Sequence, residues 1–541
     1  DDIMATKPIK ISIDVNEFIK EYHNIYKDNK ENFNAALLKI TGTAPKNCSN
    51  MFQSLKCGVL DVSELDVSQT ENMSGMFGNS NPLYNSDIKM IFGLDNWDVS
   101  NVKDMSCMFE NLNTFTNLDS LENWDVSKCE NMHRMFKYNK NLVDIKGLKE
   151  WDVSNVKDLS AAFYLCCNLK NLDGLEKWNT ENVISMAETF SSCSCLNDIN
   201  SLKNWNVSNV DTMFRAFYSS NISNIDALSN WDVSNVEDMK SMFESNSLQN
   251  LDALSNWDVS NVKTMSWMFE NNISLKNIDG ISNWDVSNVE TLAWMFSDCD
   301  LKDVNALKSW QVLQVEDISG ILSGNNRLND LSALNDWNTS NITNMELSFS
   351  ECDIKKIGLK NWDISNVERI GWLLYGNKSL SNIDDLSNWN TANVENMEGT
   401  FSDCGIENIN PLKNWDLTNT KNISSMFSNC PNLKNIDAFE NWNLSNINEA
   451  EYTFEKCPNI KELTLSKEKL DTGLEYNKDV ITNIIITCHN INNINLSDRE
   501  ITYDNIDNID DTLQLMYNED KESNKTTKDK TAPAIEEAIE L

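Results

Sequence analysis

Tryptophan recurs at 97, 124, 151, 178, 205, 231, 257, 284, 310, 337, 362, 389, 415 and 442, at intervals of 25 to 27 residues, and this series takes fourteen of the 17 tryptophans. A self-similar period of that length marks a chain of small units, each too short to enclose a core, that bury their apolar faces by stacking. With each tryptophan as zero, plus one is Asp, Asn or, once, Gln311, and plus four is Asn in twelve of fourteen copies. Plus five is apolar (Val102, Val236); plus eight is Met, Leu or Ile except at Ala450; plus twelve is Phe except at Leu322 and Leu374. Three aliphatics at spacing three then lead to the next tryptophan, as in Leu275, Ile278 and Ile281.

Spacing five, eight, twelve lies along one face of a short helix, and Ser at plus three (Ser100, Ser234, Ser260) stands where a cap belongs. The sequence therefore predicts a short helical or 3₁₀ segment over SNVxxMxxMF and a strand over LxxIxxL, with WDV as the alternative extended piece. The expected fold is an α/β, leucine-rich-repeat-like solenoid of about 15 coils of 25–27 residues, with short parallel strands, short helical segments and non-repeat terminal caps. At about 4.8 Å per strand such a stack forms a rod or arc on the order of 70 Å long. Copies of 27 read C-x-x-L after the Phe (Cys430 to Leu433) and copies of 26 read C-x-L (Cys404 to Ile406), which marks that segment as a surface loop.

Residues 1–50 lack the repeat and form an expected N-terminal cap: a strand PIKISI, then a helical run from about Val15, with Asp14 as N-cap, through ALLKI near residue 40. Residues 51–465 are the solenoid, 466–515 a C-terminal cap with a strand at 480–488, and 516–541 a flexible acidic tail.

The pattern WDVSNVxxMxxMFxxCxxLxxI over about residues 65–465, with a degenerate first copy LDVSQTENMSGMF at 65–77, resembles the repeat of the BspA-like leucine-rich-repeat surface proteins, whose mycoplasmal relatives are often lipoproteins. The resemblance implies a horseshoe or superhelix displayed on a cell surface and used for adhesion or protein recognition. It carries over no catalytic residue, because scaffold positions define the family.

Charge narrows the partners. A formal net charge of −38, from 83 acidic and 45 basic residues, disfavours nucleic acid and anionic membrane. No stretch approaches the 18 to 20 apolar residues of a membrane span, so no membrane insertion is expected. The chain opens DDIMATKPIK, so a signal peptide is expected to be absent or already removed. His23, His133 and His489 share no register, and nucleophile-elbow, P-loop and zinc-protease signatures are missing. Neither enzyme activity nor a cofactor is expected.

Three columns invite chemistry. Cys166, Cys193, Cys299, Cys352, Cys404, Cys430 and Cys457 all stand at plus fifteen. Without any C-x-x-C pair they read as small buried residues at a tight corner rather than a metal or redox ladder, and as free thiols they favour a reducing setting. Asp at plus one (Asp98, Asp125, Asp152) offers carboxylates at coil spacing for calcium, yet Asn takes the same place at 179, 206 and 338, which favours a bracing role. Asn at plus four reads as the filler of a turn, bonding to a like amide or to the next coil's backbone. Plus ten is the informative variable position: Trp267, Trp294, Leu347, Trp372 and Tyr452 are large and apolar there, a candidate aromatic patch for a protein or glycan ligand. The expected function is a surface-displayed or secreted binding scaffold. A structural component of a cytoplasmic or viral particle is the alternative left open by the missing leader and the free thiols.

Overall fold

The structure, a computed structural model, describes residues 10–28, 35–53, 55, 57–78, 88–465, 480, 482–485, 493–496 and 499–502. Strand β1 (Lys10–Asp14) runs into helix α1 (Val15–Asp28). Asp14 Oδ1 accepts the Asn16 N–H at 2.8 Å, the expected N-cap. The helix does not continue through ALLKI. That segment is β2 (Ala35–Thr43), paired in parallel with β1 and with β3 (Cys57–Asp66), which in turn pairs with β4 (Met90–Phe92). Burial explains the change, because Leu38 and Ile40 are fully buried and the residues around them are not, a period of two. Stacking already begins here: Asn47 bridges to Asn72, and the Phe52 and Phe77 rings stack at 5.4 Å.

Residues 1–300 and 301–541 form two compact units, and the described coils of each repeat one hydrogen-bond scheme. In the coil opened by Trp231, the N–H groups of Met239, Ser241, Phe243 and Ser245 donate to the carbonyls of Thr264, Ser266, Met268 and Glu270 in the following coil. Met242 N–H closes a turn on Met239 O, and φ is +56° at Ser241 and +58° at Ser245. A four-residue turn with a left-handed third residue is a type II turn. SNVxxMxxMF is therefore not a helix, contrary to expectation. A helix would consume its N–H groups internally, whereas here alternate N–H groups point along the stack and join coil to coil. Plus five, eight and twelve still face inward, because left-handed residues at plus ten and plus fourteen turn the chain back each time.

The regular 3₁₀ turns lie elsewhere, just before the tryptophan, as at Asp226–Leu228, Asp252–Leu254 and Asp384–Leu386. This is the stretch expected to be a strand. What remains extended there is a single bridging residue in some of the coils, such as Asn250 paired with Asn277 or Asn408 with Asn435, while a second series of bridges runs at plus seven (Asp238 with Thr264). The result is a repeat solenoid of short strands and lone 3₁₀ turns.

Two aromatic columns fill the interior. In the first unit Trp97, Trp124, Trp151, Trp178 and Trp205 stack at 6.0–6.4 Å within 10° of parallel, and Phe217, Phe243 and Phe269 at 5.7–5.9 Å. In the second, Trp337, Trp362, Trp389 and Trp415 stack at 6.3–6.5 Å. Each indole N–H also finds a carbonyl in the preceding coil: Trp257 donates to Leu228 O at 3.0 Å, Trp389 to Leu359 O at 3.2 Å. An aromatic that satisfies its one polar group can be buried whole.

At the C-terminus β5 (Glu462–Leu465) pairs in parallel with β6 (Asn493–Leu496), and β6 in antiparallel with β7 (Arg499–Thr502). The VITNIIIT run is helical at Val480 and 482–485 instead of extended. Val480 and Ile484, four apart and both buried, put one helical face on the interior, and that packing outweighs the β-branched propensity. The tail at 516–541 lies outside the described residues. No helix among the described residues is long and apolar enough to cross a membrane.

Candidate functional site

The columns that invited chemistry serve the stack. Asp232 and Asp258 each accept the N–H of the serine two residues on (Ser234, Ser260) at 3.1 Å, and Asn206 does the same for Ser208 at 3.1 Å. A carboxylate or an amide makes the same brace, which is why the column exchanges them. The Ser127 and Ser260 bonds hold the Asp125 and Asp258 carboxyls below the usual range. Among the described residues no group of three or more His, Cys, Asp or Glu is arranged to hold a metal ion. Asn at plus four reaches back rather than forward: Asn235 Nδ2 donates to Ser208 O and Asn261 Nδ2 to Ser234 O, both at 2.6 Å.

Plus fifteen proves to be a donor position. Cys193 Sγ lies 3.1 Å from Phe163 O, Cys404 Sγ 3.1 Å from Leu374 O and Cys457 Sγ 3.0 Å from Phe427 O. Where cysteine is missing, Asn246 Nδ2 reaches Phe217 O at 2.7 Å and Ser220 Oγ reaches Phe190 O at 2.5 Å. Thiol, amide and hydroxyl are alternative donors to the same carbonyl of the preceding coil, so the cysteines are structural. All thirteen described cysteines are free, and burial pushes the thiols of Cys57 and Cys129 up to about 12. Buried thiols that do not ionise oxidise slowly; Cys107, Cys167 and Cys195 are half-buried, and a hydrogen bond with Cys430 lowers the Cys457 thiol instead.

Side chains at plus nine, ten, thirteen and fourteen are left over, and they touch one another along the ladder. The candidate residues Trp267 and Trp294 belong to adjoining coils, linked by Trp267 N–H to Ala293 O at 2.8 Å; both are half-buried, and the Lys240 ammonium sits 4.8 Å from the Trp267 ring. Leu347, Trp372 and Tyr452 belong to the second unit. Trp372 meets Tyr375 edge-on at 5.3 Å and covers Gly399, where a Cβ would lie 2.3 Å from the indole, so it packs against its neighbours. Leu347 is half-buried, while Tyr452 is 56% exposed. All five hold φ between +56° and +61°. Large side chains seldom adopt that region, at a cost of about 1–2 kcal/mol each.

Acid residues crowd the same face. Burial, then Glu244 and Asp298, raise Glu270 to about 7. A carboxyl whose pKa is raised on folding stabilises the protein below its unfolded value, and that contribution is lost as pH rises from about 4.5 through 7. Glu270→Gln should therefore raise the unfolding free energy from urea titration at pH 8, by about 1 kcal/mol once the half-exposed position is discounted, and leave it unchanged at pH 4. Equal effects at both pH values would refute the electrostatic origin.

A basic and aromatic cluster on this face escaped the sequence reading, which looked only for large apolar residues at plus ten. Lys137 lies 5.2 Å from both the Tyr138 and Tyr164 rings, and the Arg215 guanidinium lies 4.9 Å from Tyr218 and 5.2 Å from Phe214. The signal was present: of five arginines in the chain, Arg134 and Arg215 both fall at plus ten, with Tyr164 and Tyr218 at plus thirteen.

Comparison with known proteins adds the following. A family model described as "Mycoplasma protein of unknown function, DUF285" matches residues 46–146, 89–167, 139–252, 219–331, 246–356 and 348–467, in all well over half of the chain. No curated protein matches. Among solved structures, a leucine-rich repeat protein from Eubacterium ventriosum ATCC 27560 is similar at 14% identity over 66% of this chain and 80% of that one, with a TM-score of 0.22.

Proposed function

The chain belongs to the DUF285 family of tandem-repeat scaffolds, and from that premise we propose that it is a non-enzymatic, surface-displayed binding protein that recognises a protein or glycan ligand. One observation carries the proposal: the backbone of the ladder is the same from coil to coil while its plus-ten side chain ranges over Trp267, Arg215, Glu188, Ser241 and Gly399. A surface with fixed geometry and free choice of side chain suits recognition. Tyr452, which is 56% exposed, and the half-buried Trp267 and Trp294 are available as apolar contacts.

Two measurements test this. Brief protease treatment of intact cells that make the protein should clip it, and the purified chain should adhere to epithelial cell layers. Protection until the cells are lysed would defeat display, and absence of adhesion would defeat recognition. Within the adhesion assay, Trp267→Ala with Trp294→Ala is expected to weaken retention at least tenfold if the aromatic pair anchors the ligand. Unchanged retention would remove the pair from the contact.

A further inference from the structure

Plus six pairs charges along one edge of the stack. Wherever a lysine there follows a glutamate one coil earlier, the two side chains meet: Lys103 Nζ lies 3.2 Å from Glu71, Lys157 2.6 Å from Glu130, Lys263 2.5 Å from Glu237 and Lys421 2.7 Å from Glu395. The ammonium comes each time from the following coil. Glu368 stands in the same column but is followed by Glu395, so the donor that its counterparts receive is missing. Among the described residues its carboxylate has no ion pair and no side-chain hydrogen bond.

Beside Glu368 the edge opens into a hollow of about 400 Å³ lined by Asn366, Glu368, Asn393, Glu395 and Asn419, all of them exposed. The three asparagines are the plus-four residues of consecutive coils, and their amides are already oriented by the coil behind. Asn366 Nδ2 donates to Ser340 O at 2.7 Å, Asn393 Nδ2 to Ser365 O at 2.6 Å and Asn419 Nδ2 to Ala392 O at 2.7 Å. Each Oδ1 is left as an acceptor. Elsewhere in the chain that oxygen takes an ammonium: Lys128 Nζ donates to Asn101 Oδ1 at 2.7 Å. Both kinds of acceptor in the hollow are therefore ones that this scaffold satisfies with lysine in other coils.

We propose, on the premise that the chain is a binding scaffold, that this hollow receives the ammonium group of a lysine side chain on a protein partner. An ammonium brings three N–H donors and no acceptor, which suits a carboxylate flanked by amide oxygens. A metal ion suits it less, since among the described residues no group of three or more His, Cys, Asp or Glu is arranged to hold one. A sugar would find no aromatic ring among the lining residues on which to lay its apolar face. The −38 charge of the chain draws a basic partner toward the site.

Calorimetry of the whole chain at low salt with a hexalysine peptide tests this, against the same peptide with every side chain trimethylated, which keeps the charges and loses the N–H donors. Hexalysine should bind at least fivefold tighter than the trimethylated form. Glu368→Gln should weaken it about fivefold, the worth of one exposed ion pair, with unchanged melting. Glu181→Gln removes an equal charge from an exposed position in the first unit and should leave the affinity as it is. Equal binding of the two peptides, or an equal loss in the two variants, would reduce the interaction to the general attraction of an acidic chain and overturn the assignment. Tighter binding of spermine than of hexalysine would overturn the protein partner in favour of a free polyamine. Adhesion to cell layers separates this assignment from the broader one. Glu368→Gln is expected to lower it, whereas adhesion at the wild-type level would leave the scaffold standing and remove the hollow from the ligand contact.

Discussion

Trp257→Ala should cost about 4–5 kcal/mol, whereas Trp267→Ala, ten residues on in the same coil, should cost less than about 1 kcal/mol. Both remove an indole, but only one removes it from the interior. Trp257 is 4% exposed, lies 6.4 Å from Trp284 at an interplanar angle of 1°, and tilts against Phe243 at 6.4 Å. Its N–H also donates to Leu228 O, which the substitution would leave with the Trp231 N–H alone. Trp267 is half-buried with Lys240 above its ring, a contact of about 0.5–1 kcal/mol. Because each coil contacts its neighbours in the stack, loss at Trp257 also weakens the interfaces on both sides. Urea unfolding read by tryptophan fluorescence should show a lowered midpoint and a broadened transition for Trp257→Ala alone. A small effect there would mean that the indole column is not what joins the coils.

The contrast shows what was legible from residues alone. Inward positions were readable, because Trp257, Val262, Met265 and Phe269 recur at fixed spacing and are buried as that spacing requires. The path of the backbone between them was not. Spacing five, eight, twelve fits a helix, and it fits equally a pair of type II turns whose left-handed residues return the chain to the same side. The discriminating signal lay in the positions between: Gly75, Gly320 and Gly399 at plus ten, and Asn271, Asp403, Asn429, Gly324 and Gly376 at plus fourteen, residue types that tolerate positive φ. The candidate face was half legible for a related reason. Large apolar residues at plus ten are visible in the sequence, but an arginine there looks like ordinary surface until the structure shows that its Nε has no partner.

Asn272→Cys should cost about 2 kcal/mol, while Asn139→Cys should be neutral within about 0.5 kcal/mol, although both put at plus fifteen the residue that seven other coils use. The difference lies one coil earlier. In a coil of 27 residues the N–H of the aliphatic residue after the loop turns back on the plus-fifteen carbonyl, as Leu275 does on Asn272 O at 2.9 Å and Leu169 on Cys166 O at 3.1 Å. A coil shortened to 25 or 26 residues cannot make that turn, and the next coil's Asn supplies the acceptor. Leu248 N–H bonds Asn272 Oδ1 at 3.1 Å, Ile222 bonds Asn246 Oδ1 at 2.9 Å, and Ile354 bonds Asn377 Oδ1 at 2.9 Å. Leu301 with Asn325 Oδ1 at 3.0 Å is a fourth case. Among the five short coils, only the one opened by Trp389 is followed by cysteine, Cys430, and nothing in the structure explains it. Asn139 follows a full-length coil, and its Oδ1 is one of the buried atoms without a partner. A thiol keeps the donor that both sites need for the carbonyl behind them, but it replaces an amide oxygen that matters only after a shortened loop. Chemical denaturation of the two variants measures the difference directly. Equal costs at the two sites would show that asparagine at plus fifteen is chosen for its donor alone, and that loop length and the next coil's amide are unrelated.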